Sequence, residues 1–196
     1  SMKVVVATGN MGKLKEFQRI LAPYGVEVLS QKEAGADIEV EETGTTFEEN
    51  AYLKAAAVFA ATGIPAIADD SGLVVDALDG APGVYTARYA GEDATDDENI
   101  QKLLSNMEGV KERSARFVSA ICYVWDQGKS LTTRGECEGT VGFEKRGNGG
   151  FGYDPIFMVG ERSFAELSAK EKDDISHRGR ALRQFVEEFA QLMRQK

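Results

Sequence analysis

The sequence is poor in cysteine and proline, has one histidine, and lacks a long hydrophobic run. Its two cysteines, Cys122 and Cys137, are too few for the disulfide framework of a small secreted domain and do not have a zinc-binding spacing. No apolar run approaches the ~20 residues of a transmembrane helix, and no basic-then-apolar signal segment opens the chain. The sequence therefore predicts a cytoplasmic protein with no membrane partner.

Positive charge is also scarce. The 196 residues include 23 lysines and arginines against 32 aspartates and glutamates, so the net charge is -9. This excess of acid predicts no nucleic-acid partner, because nucleic-acid binding needs a basic surface. A small anionic ligand is still compatible with it, since local donors or a bound cation can make one site positive. The length fits one domain, or one domain with an appended lobe.

Hydrophobic periodicity indicates a mixture of strands and helices. Buried or alternating runs predict strands at 3–7, 27–29, 66–69, 72–78, 115–125, 130–138, 139–145 and 156–159. Amphipathic patterns and capping residues predict helices at 13–22, 46–62, 96–107 and about 179–193, with capping boxes at Thr46, Ser163 and Ser168. Gly128 favours a hairpin between 115–125 and 130–138. This order predicts an α/β fold with some α+β character.

A turn of small residues separates the first strand from the first helix. It contains Thr8, Gly9, Asn10 and Lys13, but its spacing is not that of a P-loop, which needs four residues between its glycines. Binding of an anion does not depend on that spacing, because amides at a helix start and a nearby lysine both favour an anion. We therefore predict that this turn binds phosphate.

Two acidic segments can supply carboxylates to a cation or a water molecule. "ADDSG" at 68–72 follows a buried strand, and adjacent side chains on extended backbone point to opposite sides. One of Asp69 and Asp70 is therefore expected to face a ligand. "EVEETG" at 39–44 precedes the helix that carries Lys54, and magnesium is held by one or two carboxylates together with phosphate oxygens. The alternatives are an ordinary turn and a solvated acidic loop.

Two further segments carry aromatic and basic groups. In "GGFGYDP" at 149–155, Phe151 can stack on a ring and Asp154 can accept hydrogen bonds from a base edge, although a plain turn is the alternative. His177, the single histidine, adjoins Arg178 at the start of the last helix, which suits an anion or a purine carbonyl oxygen. An ordinary capping residue is the alternative there. Together, a phosphate-binding turn, carboxylates for a metal, a loop that can stack on a ring and a basic pair match the parts of a nucleoside triphosphate.

Six segments, in order along nearly the whole chain, resemble the inosine triphosphate pyrophosphatase family. They are "TGNMGK" at 8–13, "EETGTTFEENAYLKA" at 41–55, "PAIADDSGLVVDAL" at 65–78, "GAPGVYTARYAG" at 80–91, "GGFGYDPIF" at 149–157 and "ISHRG" at 175–179. The resemblance implies Mg²⁺-dependent hydrolysis of ITP, dITP and XTP to the nucleoside monophosphate and pyrophosphate, which cleans the nucleotide pool. It also implies one elongated domain over residues 1–196, with two lobes, an active-site cleft between them, and a homodimer.

The same resemblance implies roles for individual residues. Asp70 and Glu42 would hold magnesium, with Glu41 as the alternative to Glu42, and Asp70 would also accept a proton. Lys13 would be catalytic. Further substrate contacts would come from Thr8, Gly9, Asn10, Lys13, Lys54, Ser71, Phe151, Gly152, Tyr153, Asp154, Lys172, His177 and Arg178. Two other functions are left open: a pyrophosphatase for other modified nucleotides such as pyrimidines, and a nucleotide-binding regulator without turnover.

Overall fold

The structure, a computed structural model, describes residues 2–194, and within them seven strands form one mixed sheet. The strands are β1 (Met2–Val6), β2 (Val26–Ser30), β3 (Ala66–Val75), β4 (Ser114–Asp126), β5 (Lys129–Val141), β6 (Phe157–Val159) and β7 (Arg162–Ser163). Their order is β2-β1-β3-β4-β5-β6-β7. β1 pairs in parallel with β2 and β3, whereas β6 pairs antiparallel with β5 and β7. The mixed sheet confirms the predicted α/β class.

The same residues form five α-helices. They are α1 (Met11–Leu21), α2 (Phe47–Thr62), α3 (Asp96–Asn106), α4 (Ala169–Ile175) and α5 (His177–Arg194). Complete capping boxes start α4 at Ser168 and a short 3₁₀ turn at Ser163, as predicted. Thr46 caps α2, but Glu49 accepts a hydrogen bond from the Thr45 amide, so the predicted box there is wrong in its second half. Over residues 2–194, every helix is too short or too polar to cross a bilayer.

Several predicted boundaries are wrong. The predicted strands 66–69 and 72–78 join into one strand, β3, which ends at Val75, and Asp76–Leu78 form a 3₁₀ turn. Asp69 and Asp70 therefore lie in extended backbone and not in a turn. The predicted strands 130–138 and 139–145 are likewise one strand, which ends at Val141. Gly139 does not break it: a Cβ there would lie 2.4 Å from the Met158 carbonyl oxygen, so this glycine lets β6 approach closely. The last helix begins at His177, two residues before the predicted start, and β7 was not predicted.

The chain divides into two compact units, and each has a hydrophobic core of its own. The first unit contains the residues up to Asp70, Ser119–Gly135 and those from His177 onward, and the second contains Ser71–Val118 and Glu136–Ser176. The first core packs side chains of β1, α1 and α5, including Val6, Phe17 and Phe185. The second packs β3, α3 and β6 through Leu73, Leu103 and Phe157. Each unit therefore has a packed core that fixes the positions of its strands and helices.

Candidate active site

The turn between β1 and α1 is held by its own side chains. Thr8 Oγ1 accepts a hydrogen bond from the Asn10 amide at 3.0 Å, and Asn10 Oδ1 caps α1 by accepting one from the Lys13 amide at 3.0 Å. Two of the amides that we expected to bind phosphate are therefore already used by the turn. Gly9 and Asn10 are exposed, so the surface of the turn is accessible.

The side chain of Lys13 reaches from α1 to β3. Its Nζ lies 2.9 Å from Asp69 Oδ2, and the Asp69 side chain is fully buried whereas that of Lys13 is 17% exposed. Arg178 Nε lies 3.3 Å from Asp69 Oδ1, and the Ser119 hydroxyl donates a short hydrogen bond to the same oxygen. Arg178 also forms a buried ion pair with Glu16. Five polar side chains from α1, β3, β4 and α5 therefore form one buried network.

Electrostatics in this network keep Asp69 ionised. Burial raises the pKa of Asp69, but the charges of Arg178 and Lys13 and the Ser119 hydrogen bond outweigh it and hold the pKa well below its ordinary value. No role was predicted for Glu16 or Ser119, and Asp69 was predicted only as the alternative to Asp70. The available signal was Glu16 itself, a charged residue directly before the buried Phe17 on an otherwise apolar face of α1.

The neighbouring carboxylate, Asp70, has different partners. Lys54 Nζ lies 3.5 Å from Asp70 Oδ1 and 3.5 Å from Glu42 Oε1, and it donates a hydrogen bond to the Asp69 carbonyl oxygen at 2.7 Å. The carboxyl groups of Glu42 and Asp70 are close enough to share a hydrogen bond. Glu41, the alternative to Glu42, is exposed. The structure therefore brings together the predicted residues Glu42, Lys54 and Asp70.

The pKa values of the two carboxyl groups move in opposite directions. Burial raises the pKa of Asp70 to about 7, the Lys54 charge opposes this, and Glu42 adds to the rise. Burial also raises the pKa of Glu42, but Lys54, the Asp70 hydrogen bond and Lys13 outweigh it, so the pKa is lowered. The charge of Lys13 also acts to lower the pKa of both groups.

The carboxyl pair fits a divalent cation. Asp70 Oδ2 is buried and receives no hydrogen bond from the N–H and O–H groups of residues 2–194. Two carboxylates this close repel each other unless a proton or a cation lies between them. In the same residues no group of three or more His, Cys, Asp and Glu could hold a metal. Two carboxylates completed by phosphate oxygens and water are nevertheless a usual coordination for Mg²⁺.

A second polar set lies within the second unit, around the loop at 149–154. Lys172 Nζ lies 2.6 Å from Asp154 Oδ2, and both side chains are 5% exposed. The Phe151 amide donates a hydrogen bond to the same oxygen at 3.1 Å, and the Lys172 ammonium lies 4.5 Å from the centre of the Phe151 ring. A Cβ on Gly150 would lie 2.0 Å from Asp154 Oδ2, so this conformation requires glycine. The loop therefore places an aromatic ring beside a buried ion pair.

The other predicted contacts have varied surroundings. The Gly152 amide donates to Asp96 Oδ2 at 2.9 Å, and Tyr153 packs in the second core with its hydroxyl donating to the Thr86 carbonyl oxygen at 2.7 Å. Ser71 follows Asp70 on β3 and is half-buried.

The basic pair at the start of α5 belongs to the first unit. His177 is 4% exposed and Arg178 is 1% exposed, so both are buried where α5 begins. A Cβ on Gly135 would lie 2.2 Å from the His177 carbonyl oxygen, which shows how closely β5 approaches that helix start. Lys172, another predicted substrate contact, belongs to the second unit. The predicted substrate contacts are thus divided between the two units.

Comparisons with known proteins agree along the whole chain. A family model described as the Ham1 family matches residues 4–188. A relative from Exiguobacterium sp., named dITP/XTP pyrophosphatase, is 49% identical over 195 residues, covering 98% of this chain and 100% of its own. A HAM1 protein structure from Coxiella burnetii is 43% identical, with a TM-score of 0.87 over 97% of this chain and 100% of that chain. The Staphylococcus aureus Ham1 structure is 41% identical, with a TM-score of 0.84 over 99% and 100%.

Proposed function

The chain belongs to the Ham1 family, and from this premise we propose that it hydrolyses ITP, dITP and XTP to the nucleoside monophosphate and pyrophosphate. Relatives about 49% identical over almost the whole chain are named dITP/XTP pyrophosphatase, which supports the substrate class. The observation that carries the chemistry is the set of two carboxyl groups and two lysines formed by Glu42, Asp70, Lys54 and Lys13. The activity would keep non-standard purines out of DNA and RNA.

The reaction breaks the bond between the α-phosphorus and the oxygen that bridges to the β-phosphate. Water attacks the α-phosphorus, pyrophosphate leaves with the bonding electrons, and the Asp70 carboxylate takes the proton of the water. Negative charge spreads over the phosphoryl oxygens in the transition state, so positioning and electrostatics dominate. Lys13 and Lys54 offset that charge. Glu42 and Asp70 would hold Mg²⁺, which when bound supplies further positive charge at the phosphates.

Selectivity against adenine follows from hydrogen-bond donors. Hypoxanthine and xanthine carry a 6-oxo acceptor where adenine carries a 6-amino donor. Donors from Lys172, His177 or Arg178 therefore favour the oxo group, and a site built on such a bond rejects the wrong base strongly, because buried polar groups are then left without partners. Phe151 would stack on the base, with Asp154 accepting from its edge. Thr8, Gly9, Asn10 and Ser71 would contact the substrate from the phosphate-binding side.

A panel of nucleoside triphosphates tests the proposal. We expect ITP, dITP and XTP to yield equal amounts of monophosphate and pyrophosphate in the presence of Mg²⁺, with turnover abolished by EDTA and restored by added Mg²⁺. Ion-exchange chromatography would identify the products. Release of orthophosphate and a diphosphate would contradict cleavage at the α-phosphorus, and a preference for modified pyrimidines would support the other pyrophosphatase. Tight ITP binding without product would indicate a regulator.

We also propose a homodimer, which the family resemblance implies, in the cytoplasm, the compartment that the low cysteine content favours. Sedimentation equilibrium over a range of protein concentrations tests the oligomeric state directly. A mass of one chain at all concentrations would contradict the dimer.

A further inference from the structure

Asp69 is a fully buried carboxylate to which the proposed reaction gives no role. It lies beside Asp70 on β3 but faces other partners, because successive side chains of a strand point to opposite sides. Its Oδ2 contacts Lys13 Nζ at 2.9 Å, and its Oδ1 contacts Arg178 Nε at 3.3 Å and the Ser119 hydroxyl. One carboxylate therefore joins a lysine at the edge of the site to two groups that are themselves buried.

The exposed fractions of these side chains differ, and the difference identifies the partner that is fixed. The Asp69 side chain is 0% exposed and that of Arg178 is 2% exposed, whereas that of Lys13 is 17% exposed. Arg178 is fixed on its other side by Glu16, whose side chain is 3% exposed. A buried ion pair is held firmly because separating its charges is costly, whereas a partly exposed lysine retains conformational freedom. Asp69 is thus the fixed partner, and Lys13 is the group that it can orient.

We propose that Asp69 is a positioning residue: held by Arg178 and Ser119, it fixes the ammonium group of Lys13 for the transition state. The inference rests on the proposed function, in which Lys13 offsets charge at the phosphates. An asparagine at this position would keep the shape of the side chain but remove its charge. Lys13 would then remain attractive to a triphosphate while losing its fixed orientation. Transition-state stabilisation would fall while ground-state binding would not.

The first test is therefore the steady-state kinetics of Asp69→Asn with ITP. We expect kcat to fall by at least about tenfold, because misplacing one charged group has a large effect on a preorganised site. We expect KM to stay the same or to decrease. A general loss of structure would raise KM and lower the thermal unfolding temperature in parallel, so thermal unfolding is measured on the same samples. An unchanged kcat in a folded Asp69→Asn enzyme would overturn the inference.

A double-mutant cycle with Lys13→Ala identifies the residue through which Asp69 acts. If Asp69 acts through Lys13, then the double variant loses little more kcat than Lys13→Ala alone, because the orienting group has nothing left to orient. Glu16→Gln is the matched control: it removes the other buried carboxylate that contacts Arg178, and its effect should multiply with that of Lys13→Ala. The inference would be overturned if the kcat losses of Asp69→Asn and Lys13→Ala multiplied in the double variant. It would also be overturned if Glu16→Gln were coupled to Lys13→Ala as strongly as Asp69→Asn is.

Ser119→Ala keeps the inference testable if Asp69→Asn does not fold. It deletes only the hydroxyl that donates to Asp69 Oδ1, and it should lower kcat more than it changes KM. In the double variant with Lys13→Ala, the loss of kcat should be smaller than the product of the two single losses. A kcat loss that multiplies with Lys13→Ala, or no loss, would contradict us. The activity of the parent enzyme distinguishes a failure of the proposed function from a failure of the role given to Asp69. If it releases no pyrophosphate, the proposed function fails; if it is active and impaired by Lys13→Ala, only the role of Asp69 is in question.

Discussion

Asp69 and Asp70 are consecutive residues of one strand with opposite electrostatic surroundings. Asp69 faces two cations and a hydroxyl, which hold its pKa well below the ordinary value against the effect of burial. Asp70 faces one lysine and a second carboxyl group, and burial raises its pKa to about 7. Alternation along a strand was enough to predict that one of the two faces the ligand. It could not predict the partners of the other, because these come from distant segments.

At the residue scale, the carboxylate of Asp70 makes a direct prediction. Asp70→Asn should lower the rate of pyrophosphate release from ITP by about 100-fold or more, since a positioned general base contributes roughly that much. The variant should still bind ITP, because Lys13 and Lys54 remain. Single-turnover kinetics and calorimetric titration would measure the two quantities. Asp93→Asn, a matched change at an exposed aspartate, should leave both unaltered. Near-parental turnover by Asp70→Asn would remove Asp70 from the mechanism.

At the scale of elements, the loop at 149–154 shows how glycine permits a buried ion pair. Gly150 has φ +68°, and its missing side chain leaves room for the Asp154 carboxylate that binds Lys172 and the Phe151 amide. The sequence indicated a glycine-rich loop with an aromatic ring and a carboxylate. It did not indicate that the carboxylate folds back to its own loop, because that depends on where α4 places Lys172.

Gly150→Ala tests that packing, with Gly160→Ala as its matched control. Both glycines have a positive φ, +68° for Gly150 and +65° for Gly160. A Cβ on Gly150 would lie 2.0 Å from Asp154 Oδ2, whereas a Cβ on Gly160 would have no neighbouring atom within 4 Å. The control should lose about 1–2 kcal/mol of unfolding free energy through backbone strain alone. Gly150→Ala should lose a further ~1–3 kcal/mol through overpacking, and its KM for ITP should rise. Equal losses in urea unfolding would show that the loop relaxes without cost.

The aromatic cluster between β4 and α5 predicts a contribution to alkaline unfolding. Tyr123 packs against Trp125, Phe185 and Phe189, with ring centres 5.2–5.4 Å apart. Burial raises the pKa of Tyr123 to about 12 from an ordinary value near 10. The folded chain therefore holds this proton more tightly than the unfolded chain. The resulting stabilisation is complete below pH ~10 and is lost as the pH rises towards 12.

Tyr123→Phe should accordingly flatten the pH dependence of stability above pH 10. The phenylalanine keeps the ring packing but cannot ionise, so its free energy of unfolding should decline less steeply between pH 10 and 12 than that of the parent. Urea unfolding at several pH values would measure this, and absorbance at 295 nm would follow tyrosine ionisation directly. Tyr52→Phe, which changes a half-exposed tyrosine, is the control. Parallel pH profiles for the parent and Tyr123→Phe would contradict the raised pKa.

At the scale of the whole molecule, the sequence predicted the fold class and the order of elements better than their boundaries. Strand periodicity and capping residues are local, so β1, α1 and the capping boxes at Ser163 and Ser168 could be predicted directly. Whether a glycine ends a strand is decided by what packs on it, so β5 was predicted as two strands. β3 was predicted as two because Asp and Ser are also common in turns. The same limit applied to the site: each segment was found by its residue types, but the Asp69 network depends on tertiary contacts.

The two cysteines report on the integrity of each compact unit separately, because Cys122 belongs to the first and Cys137 to the second. They are 0% and 2% exposed, and burial raises the pKa of the Cys122 thiol. The reactive form of a thiol is the thiolate, so both effects slow the reaction of Cys122. The native protein should therefore react with far less than one equivalent of a disulfide reagent per chain, and with two in guanidinium chloride.

Mass spectrometry after a short alkylation pulse would show which cysteine reacts as denaturant is raised. Labelling of either thiol requires the structure around it to open, since both side chains are buried in the folded state. Each cysteine should therefore become reactive only over the denaturant range in which circular dichroism shows unfolding. Rapid labelling of Cys122 in native conditions would show that the first unit opens locally. The same result for Cys137 would show this for the second, and the packing described for that unit would then be wrong.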